Sequence, residues 1–325
     1  MSDRPFLSIV VTGRNDDYGG QFARRFFRVL AFNLEQLADR QVEVEVRLVE
    51  WNPIQGRPLL AQRLLTSLPA RVRDSVTTYV VDGRYQDALS LNPRLKYLEY
   101  FAKNVGIRRA AGRFVLATNT DILFGEALVN VLASGALHEG RVYRANRIDL
   151  KLGIDDSEIH HALLENTDNH VPRPPIKPPL YAGATGDFVL LDKQTFDRIR
   201  GFNEIYRLAR VGVDHNLLVK ARSSGVPIAD IGAPVYHVSH TTSFQVARNQ
   251  ASDSEAESLW GRRQWHQHEV IYDNPDGWGL AEAPLTRIDD QTWRVEFDWD
   301  AVAPLVDLRR IVLSGMPTSS GRSPV

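Results

Sequence analysis

Asn119, Thr120 and Asp121 close the apolar run in RFVLATNTDILF (Arg113–Phe124), and they are the first residues here from which chemistry is expected. Side chains alternate along an extended segment, so Asn119 and Asp121 should face one side and Thr120 the other. Two neighbouring oxygen-bearing side chains suit a hard divalent cation. Mg2+ and Mn2+ take carboxylate, carbonyl and phosphate oxygens, with few protein ligands and the rest from substrate and water. The same tripeptide could instead form an Asx turn that merely ends a strand. The choice depends on what else reaches that edge.

The elements that must carry these residues follow from periodicity. FLSIVVTG, residues 6–13, is a continuous apolar run of the kind buried on both faces of a parallel sheet. A helix is expected over Gln21–Asp39, where Phe22, Phe26, Val29, Leu30, Leu34 and Leu37 recur at three- and four-residue steps. VEVEVRLVE alternates, with Val42, Val44, Val46 and Leu48 on one face, and ends at the WNP turn. A helix in PLLAQRLLTSL, a strand at VTTYVVDG, a helix at LKYLEYFAKNVGIRRAAG and the strand RFVLAT complete a βαβαβαβ series. That series predicts an α/β fold, an open, mostly parallel sheet with crossover helices on both faces.

The second half loses this rhythm. Residues 150–182 gather charge, His160, His161 and the stretch VPRPPIKPPLYAG, whose prolines forbid helix and point to a long extended lid or binding loop. A strand and helix follow in DFVLLDKQTFDRIRGF, with Asp192 placed to cap and Gly201 to end the helix. Then come the helix DHNLLVKARSSG and strands at PIADIG and PVYHVSH. From Gln245 the chain is polar and bears Trp260, Trp265 and Trp278, with one strand candidate, TWRVEFDW, and a terminal SSGRSPV expected to be disordered. The division expected is a main domain over 1–244 and a short extension over 245–325. The tryptophans are read as packing anchors, and His266 and His268 as polar surface.

Composition removes several classes. With 325 residues, 43% of them hydrophobic, the chain can bury a full core. A net charge of -1 and the lack of any basic run argue against a nucleic-acid partner. Zero cysteines exclude disulfides, thiolate metal sites and thiol nucleophiles, and fit a reducing, cytoplasmic setting. No signal peptide and no transmembrane segment is read, which leaves a soluble protein compatible with peripheral membrane contact.

Ligands of open parallel sheets gather beyond the carboxyl ends of the strands. The polar residues expected there are Arg14, Asn15 and Asp16, then Glu50 and Asn52, then Asp82 and Arg84, then Asn119, Thr120 and Asp121. Neither GxGxxG nor GxxxxGK[ST] occurs, so a dinucleotide site and a P-loop are both unsupported.

In order and at similar spacing the chain reads SIVVTGRND, VEWNP, KNVGIRRAAGRFVLATNTD, GFNE and GVDHNLLVKARSSG. This resembles the GT-A glycosyltransferases, especially the large family-2 group, over residues 6–243. There the pattern is SIVIPTYN, an acid after the second strand, N-x-G before A-x-G and D-x-D, then GFDE and E-D-x-D-L. The resemblance implies a Rossmann-like GT-A domain that moves a sugar from a nucleotide-sugar donor to a glycan, lipid-linked or small-molecule acceptor using Mn2+ or Mg2+, with inversion as in family 2, while retention stays open because the polypeptide N-acetylgalactosaminyltransferases share a late histidine of the HVSH sort. It implies Asp121 as cation ligand, Asn119 and Thr120 at the ribose, and Asp214 as general base, although an aspartate there could simply cap the helix. Asp16, Glu50 and Asp82 would contact base and ribose, beside Arg14, Asn15 and Asn104. Arg108 would meet the diphosphate or lie on a solvated helix face.

HVSH resembles the histidine that closes the metal site in several GT-A families, which brings in His240 or, as second choice, His237. Their spacing of three on a strand would put them on opposite faces, so one is expected to point inward. Two departures stand out: Asn119 replaces the first acid of D-x-D, and Val213 the first acid of E-D. They leave room for a noncatalytic nucleotide- or sugar-binding relative. A nucleotidyltransferase is the other alternative, but TGRNDDYGGQ lacks its G-x-G-x-R loop.

Overall fold

The computed structural model describes residues 4–93, 95–151, 159–207, 212–240 and 273–306. Every residue of β1 (Leu7–Gly13) is buried, because helices cover both of its faces: Leu7, Ile9 and Val11 meet one apolar layer and Val10 the other. The helix α1 (Phe22–Asp39) buries all six residues expected on its inner face. Its first turn takes an acceptor from Asp17, whose Oδ1 lies 3.1 Å from the Phe22 N–H. In β2 (Val44–Trp51) the alternation holds only at the start. Val46 and Leu48 face α1 while Val49 and Trp51 meet a separate layer, so the carboxyl half is buried on both sides.

α2 (Leu60–Ser67), α3 (Ala70–Arg73), β3 (Val76–Val81), α4 (Gly83–Leu89), α5 (Glu99–Arg108) and β4 (Phe114–Thr118) follow; α2, β3, α5 and β4 are the expected series, and α3 and α4 are short helices that it did not include. Their strands lie in the order β3-β2-β1-β4, all parallel. The fold is α/β with a mostly parallel central sheet between helical layers, as the alternation predicts.

Beyond β4 the chain divides between two sheets. β5 (Ile122–Phe124), α6 (Glu126–Ala133), β6 (Val142–Arg144), β7 (Arg147–Leu150), α7 (His161–Glu165) and β8 (His170–Val171) come first, so the region expected as one loop holds a short helix capped by His160. β9 (Phe188–Asp192), α8 (Lys193–Ile199), α9 (Val213–Ser223), β10 (Ile228–Asp230) and β11 (Val235–His237) follow. β9 runs antiparallel between β4 and β6, and β10 closes that side of the main sheet. The order β5-β11-β7-β8 forms a second, smaller sheet.

Asp192 caps α8 as expected, its Oδ1 2.8 Å from the Thr195 N–H. Gly201 ends the helix at φ 61°, and a Cβ there would lie 2.3 Å from Asn104 Oδ1, so only glycine fits. From the C-terminal part, β12 (Leu285–Arg287) and β13 (Thr292–Val295) form a hairpin whose second strand lies parallel to β3, and α10 (Trp299–Val306) follows. Trp278 is buried, as a packing anchor should be. Among the described residues no helix is long and apolar enough to cross a membrane. Trp260, Trp265, His266, His268 and SSGRSPV lie outside the described residues.

Candidate functional site

The chain passes from the main sheet to the smaller one at Asp121. β4 ends at Thr118, residues 120 and 121 turn, and β5 begins at Ile122. The alternation expected for an extended Asn119–Asp121 therefore does not apply. β11 lies antiparallel on β5 with His237 opposite Ile122, and the Val238 N–H donates to the Asp121 carbonyl at 3.0 Å. The strand stops at His237, so the two histidines do not alternate between faces as a three-residue spacing on a strand would require. Both turn to one carboxylate: His240 Nε2 is 2.7 Å and His237 Nε2 3.7 Å from Asp121 Oδ2. One ligand atom from each of the three residues lies within 4.8 Å of the others.

Asp121 Oδ1 is buried and has no hydrogen-bond partner. Burial raises the proton affinity of this carboxyl, but the two histidines outweigh it and hold the group well below the ordinary carboxylate range. Gly19, at φ 70°, lets His240 come close, since a Cβ there would stand 2.6 Å from its Nδ1. The Tyr18 ring meets His240 edge-on at 5.5 Å.

A second tier of charge surrounds this centre. His237 Nδ1 lies 3.1 Å from Asp149 Oδ1, in ion-pair range though out of line for a hydrogen bond. Asp149 also receives Arg147 Nε at 2.6 Å and pairs with Arg173. Burial would lower the His237 imidazole, yet Asp121 and Asp149 push it up to about 9. Carboxylates behind an imidazole fix its orientation and raise its basicity, an arrangement typical of metal-binding histidines.

Asp214 does not cap α9. Gly212 holds that position at φ 88°, and Asp214 lies in the first turn with Oδ2 accepting the Gly186 N–H at 2.9 Å. Burial raises its pKa, against the lowering effect of the His215 N–H and the charge of Lys103. Asn119 joins the two regions instead of standing free for a ribose: its Oδ1 accepts from Lys103 Nζ at 2.7 Å and its Nδ2 donates to Asp187 Oδ1 at 2.8 Å.

Other expected ligand contacts have different partners. Asn104 is fully buried and ties α5 to residues 202–204, with Nδ2 2.8 Å from the Phe202 carbonyl and 2.9 Å from Glu204 Oε1. Glu50 is also fully buried, its Oε2 accepting the Leu60 N–H of α2 at 2.8 Å, because the carboxyl half of β2 is covered on both sides. Arg108 is the last residue of α5 and lies over the Trp278 ring at 5.2 Å, with Asp197 3.9 Å away. Asn15 is buried and organises the 54–58 turn through the Ile54 N–H and carbonyl, and Thr120 is buried in its turn. Asp82 caps α4 and pairs with Arg84 at 2.8 Å. Arg14 and Asp16 remain partly exposed at the end of β1, 3.4 Å apart.

Lys103, Arg147, Asp149 and Asp187 belong to the site without having been singled out from the sequence. Only Lys103 left a signal, a charge within the apolar run Phe101, Ala102, Val105 and Ile107 of α5. The chain matches no protein family model and no curated protein. Among solved structures it is similar to the catalytic domain of Drosophila beta1,4-galactosyltransferase 7 in complex with xylobiose, at 11% identity and a TM-score of 0.46, over 93% of this chain and 98% of that one. It is also similar to GalNAc-T7 with UDP, GalNAc and Mn2+, at 11% identity and a TM-score of 0.46, over 84% of this chain and 53% of that one.

Proposed function

We propose that this chain is a GT-A glycosyltransferase that uses a divalent cation to move a sugar from a nucleoside-diphosphate sugar to an acceptor hydroxyl, with inversion at the anomeric carbon. The observation that carries this reading is the convergence of Asp121, His237 and His240 at the carboxyl end of β4, with one buried Asp121 oxygen lacking a partner. A buried acceptor left unpaired costs roughly 1–3 kcal/mol, more if charged, so its retention here favours a ligand at that oxygen. One carboxylate and two imidazoles fit a first-row divalent cation and leave coordination positions for diphosphate oxygens and water. Bound there, the cation would act as a Lewis acid toward the diphosphate and stabilise its growing negative charge.

The chain's own residues supply the remainder. Asp214 takes the proton of the acceptor hydroxyl as that oxygen attacks the anomeric carbon, and the C–O bond to the diphosphate breaks on the opposite face with its electron pair leaving on the phosphate. Burial raises the proton affinity of Asp214, which suits a base. The bond from the Gly186 N–H fixes one of its oxygens. Arg14 and Asp16 are the nucleotide contacts, with Asp82 farther along the same edge. The lack of cysteine supports a reducing, cytoplasmic setting.

Two histidines and a carboxylate also serve Fe(II) in oxygenases. Here, however, the set lies at the carboxyl edge of a mostly parallel sheet, where ligands of such folds collect, and is joined by a polar chain to the half-buried carboxylate of Asp214. The deciding experiment is a thermal-shift screen of UDP-, GDP- and dTDP-sugars with Mn2+, followed by assay of nucleotide release from those that stabilise the protein. Stabilisation by one donor class with Mn2+-dependent release is expected. Absence of both, across all three classes, would reject the reading.

A further inference from the structure

The turn of residues 185–187, just before β9, is held from several elements at once. Arg144 donates to the Thr185 carbonyl at 3.0 Å, Lys103 to the Gly186 carbonyl at 2.9 Å, and Thr118 to the Asp187 carbonyl at 2.6 Å. Asn119 Nδ2 adds its bond to the Asp187 side chain at 2.8 Å. The turn presents the Gly186 N–H to Asp214 at 2.9 Å. From its other oxygen Asp187 meets Arg147 at 2.7 Å, and Arg147 leads through Asp149 to His237. Asn119 braces this path at Asp187, and its backbone lies two residues before Asp121.

We infer that Asn119 is a positioning residue, which sets the turn that holds Asp214 through the Gly186 N–H in register with Asp121, and that an acid cannot take its place. The inference rests on the roles proposed above for Asp214 and Asp121. A lysine ammonium can only donate and a carboxylate only accept, so the Asn119 amide is oriented by chemistry, oxygen to Lys103 and nitrogen to Asp187. A carboxylate at 119 would keep the Lys103 bond but put two acidic oxygens 2.8 Å apart where a hydrogen bond now lies. Restoring the first acid of D-x-D would thus disrupt the site, with no gain in cation binding, because the oxygens at 119 are turned toward Lys103 and Asp187.

The structure also specifies its own rescue. With Asn119→Asp and Asp187→Asn together, the acid at 119 accepts from Lys103 and from the new amide at 187, whose oxygen accepts from Arg147. The three-bond pattern is restored with donor and acceptor exchanged. The experiment is a double-mutant cycle on the full chain, read as unfolding midpoint, as Mn2+ dissociation constant, and as UDP or GDP formation from a panel of UDP- and GDP-sugars.

Each single variant should lower the unfolding midpoint by several degrees and nucleotide formation at least tenfold. The double variant should regain at least half of both losses, and Mn2+ affinity should stay within about threefold throughout, which a residue with only a general structural role would not produce. A double variant as impaired as the sum of the singles would overturn the inference. So would a tenfold gain in Mn2+ affinity in Asn119→Asp. The midpoint arm needs no substrate, so it judges the bridge even if the parent forms no nucleotide from any donor, a result that would fall on the transferase reading instead.

Discussion

Glu50 offers the most quantitative test, because sequence and structure give it different roles. Its carboxyl is fully buried at the end of β2, one oxygen on the Leu60 N–H and the other without a partner. Burial raises its pKa from 4.5 to about 7, against the lowering effect of the Leu60 and Ala61 N–H groups at the start of α2. The folded state therefore holds the proton more tightly than the unfolded chain. Stability from this group is fully present below pH 4.5 and is lost as pH rises through 7, by roughly 3 kcal/mol at about 1.4 kcal/mol per pH unit. Glu50→Gln keeps an oxygen for the helix and removes the titration. In urea unfolding from pH 4 to 8, parent and variant should be nearly equal at the acid end, and the variant more stable by roughly 3 kcal/mol at the alkaline end. Titrations elsewhere cancel in the difference. A pH-independent difference, or a variant weaker at pH 8, would refute the reasoning, and a tenfold loss of donor affinity would return Glu50 to the nucleotide.

Asp121→Ala should abolish Mn2+-dependent nucleotide binding, measured by calorimetry, while circular dichroism shows the fold retained, since the residue lies in a turn at a strand end. Asp214→Asn keeps an oxygen for the Gly186 N–H but cannot accept a proton, so donor affinity and a stability within about 1 kcal/mol should survive while transfer falls about 10²-fold or more. Near-parent turnover in that variant would remove Asp214 as the base. Residues 171–175 are exposed, with Arg173 paired to Asp149 behind His237. Because Arg173 and Lys177 each precede a proline, a broad-specificity protease in place of trypsin should cut within residues 171–182 in the free protein and be suppressed by nucleotide with Mn2+, and unchanged cutting would count against a covering loop.

What could be read in advance depended on the length of each element. Apart from α3, with four residues, β1 to β4 and the helices between them run five residues or more, long enough for a period of 2 or 3.6 to show, and the parallel order follows from their alternation. The smaller sheet could not be read this way. β5, β7 and β11 are three or four residues long, and a strand that short has no period to detect. The antiparallel insertion of β9 between β4 and β6 was equally hidden, because pairing partners depend on tertiary context and not on a strand's own residues.

The site divides along the same line. Asp121 was legible because it follows the apolar run of β4, and the HVSH stretch because it resembles a GT-A motif, but the prediction that one histidine would face away assumed a strand through His240, and β11 stops at His237. Asn119 shows the limit most clearly. As a sequence letter it reads as a lost acid, a step toward an inactive relative. Its place between an ammonium and a carboxylate calls for a side chain that both accepts and donates, which an ionised acid cannot do, so the departure from D-x-D is better explained by Lys103 and Asp187 than by loss of function. Those partners lie 16 and 68 residues away, and no local pattern joins them. A substitution at a ligand-binding motif therefore has to be judged against the neighbours that the fold supplies, and here they favour an amide over the acid the motif would predict.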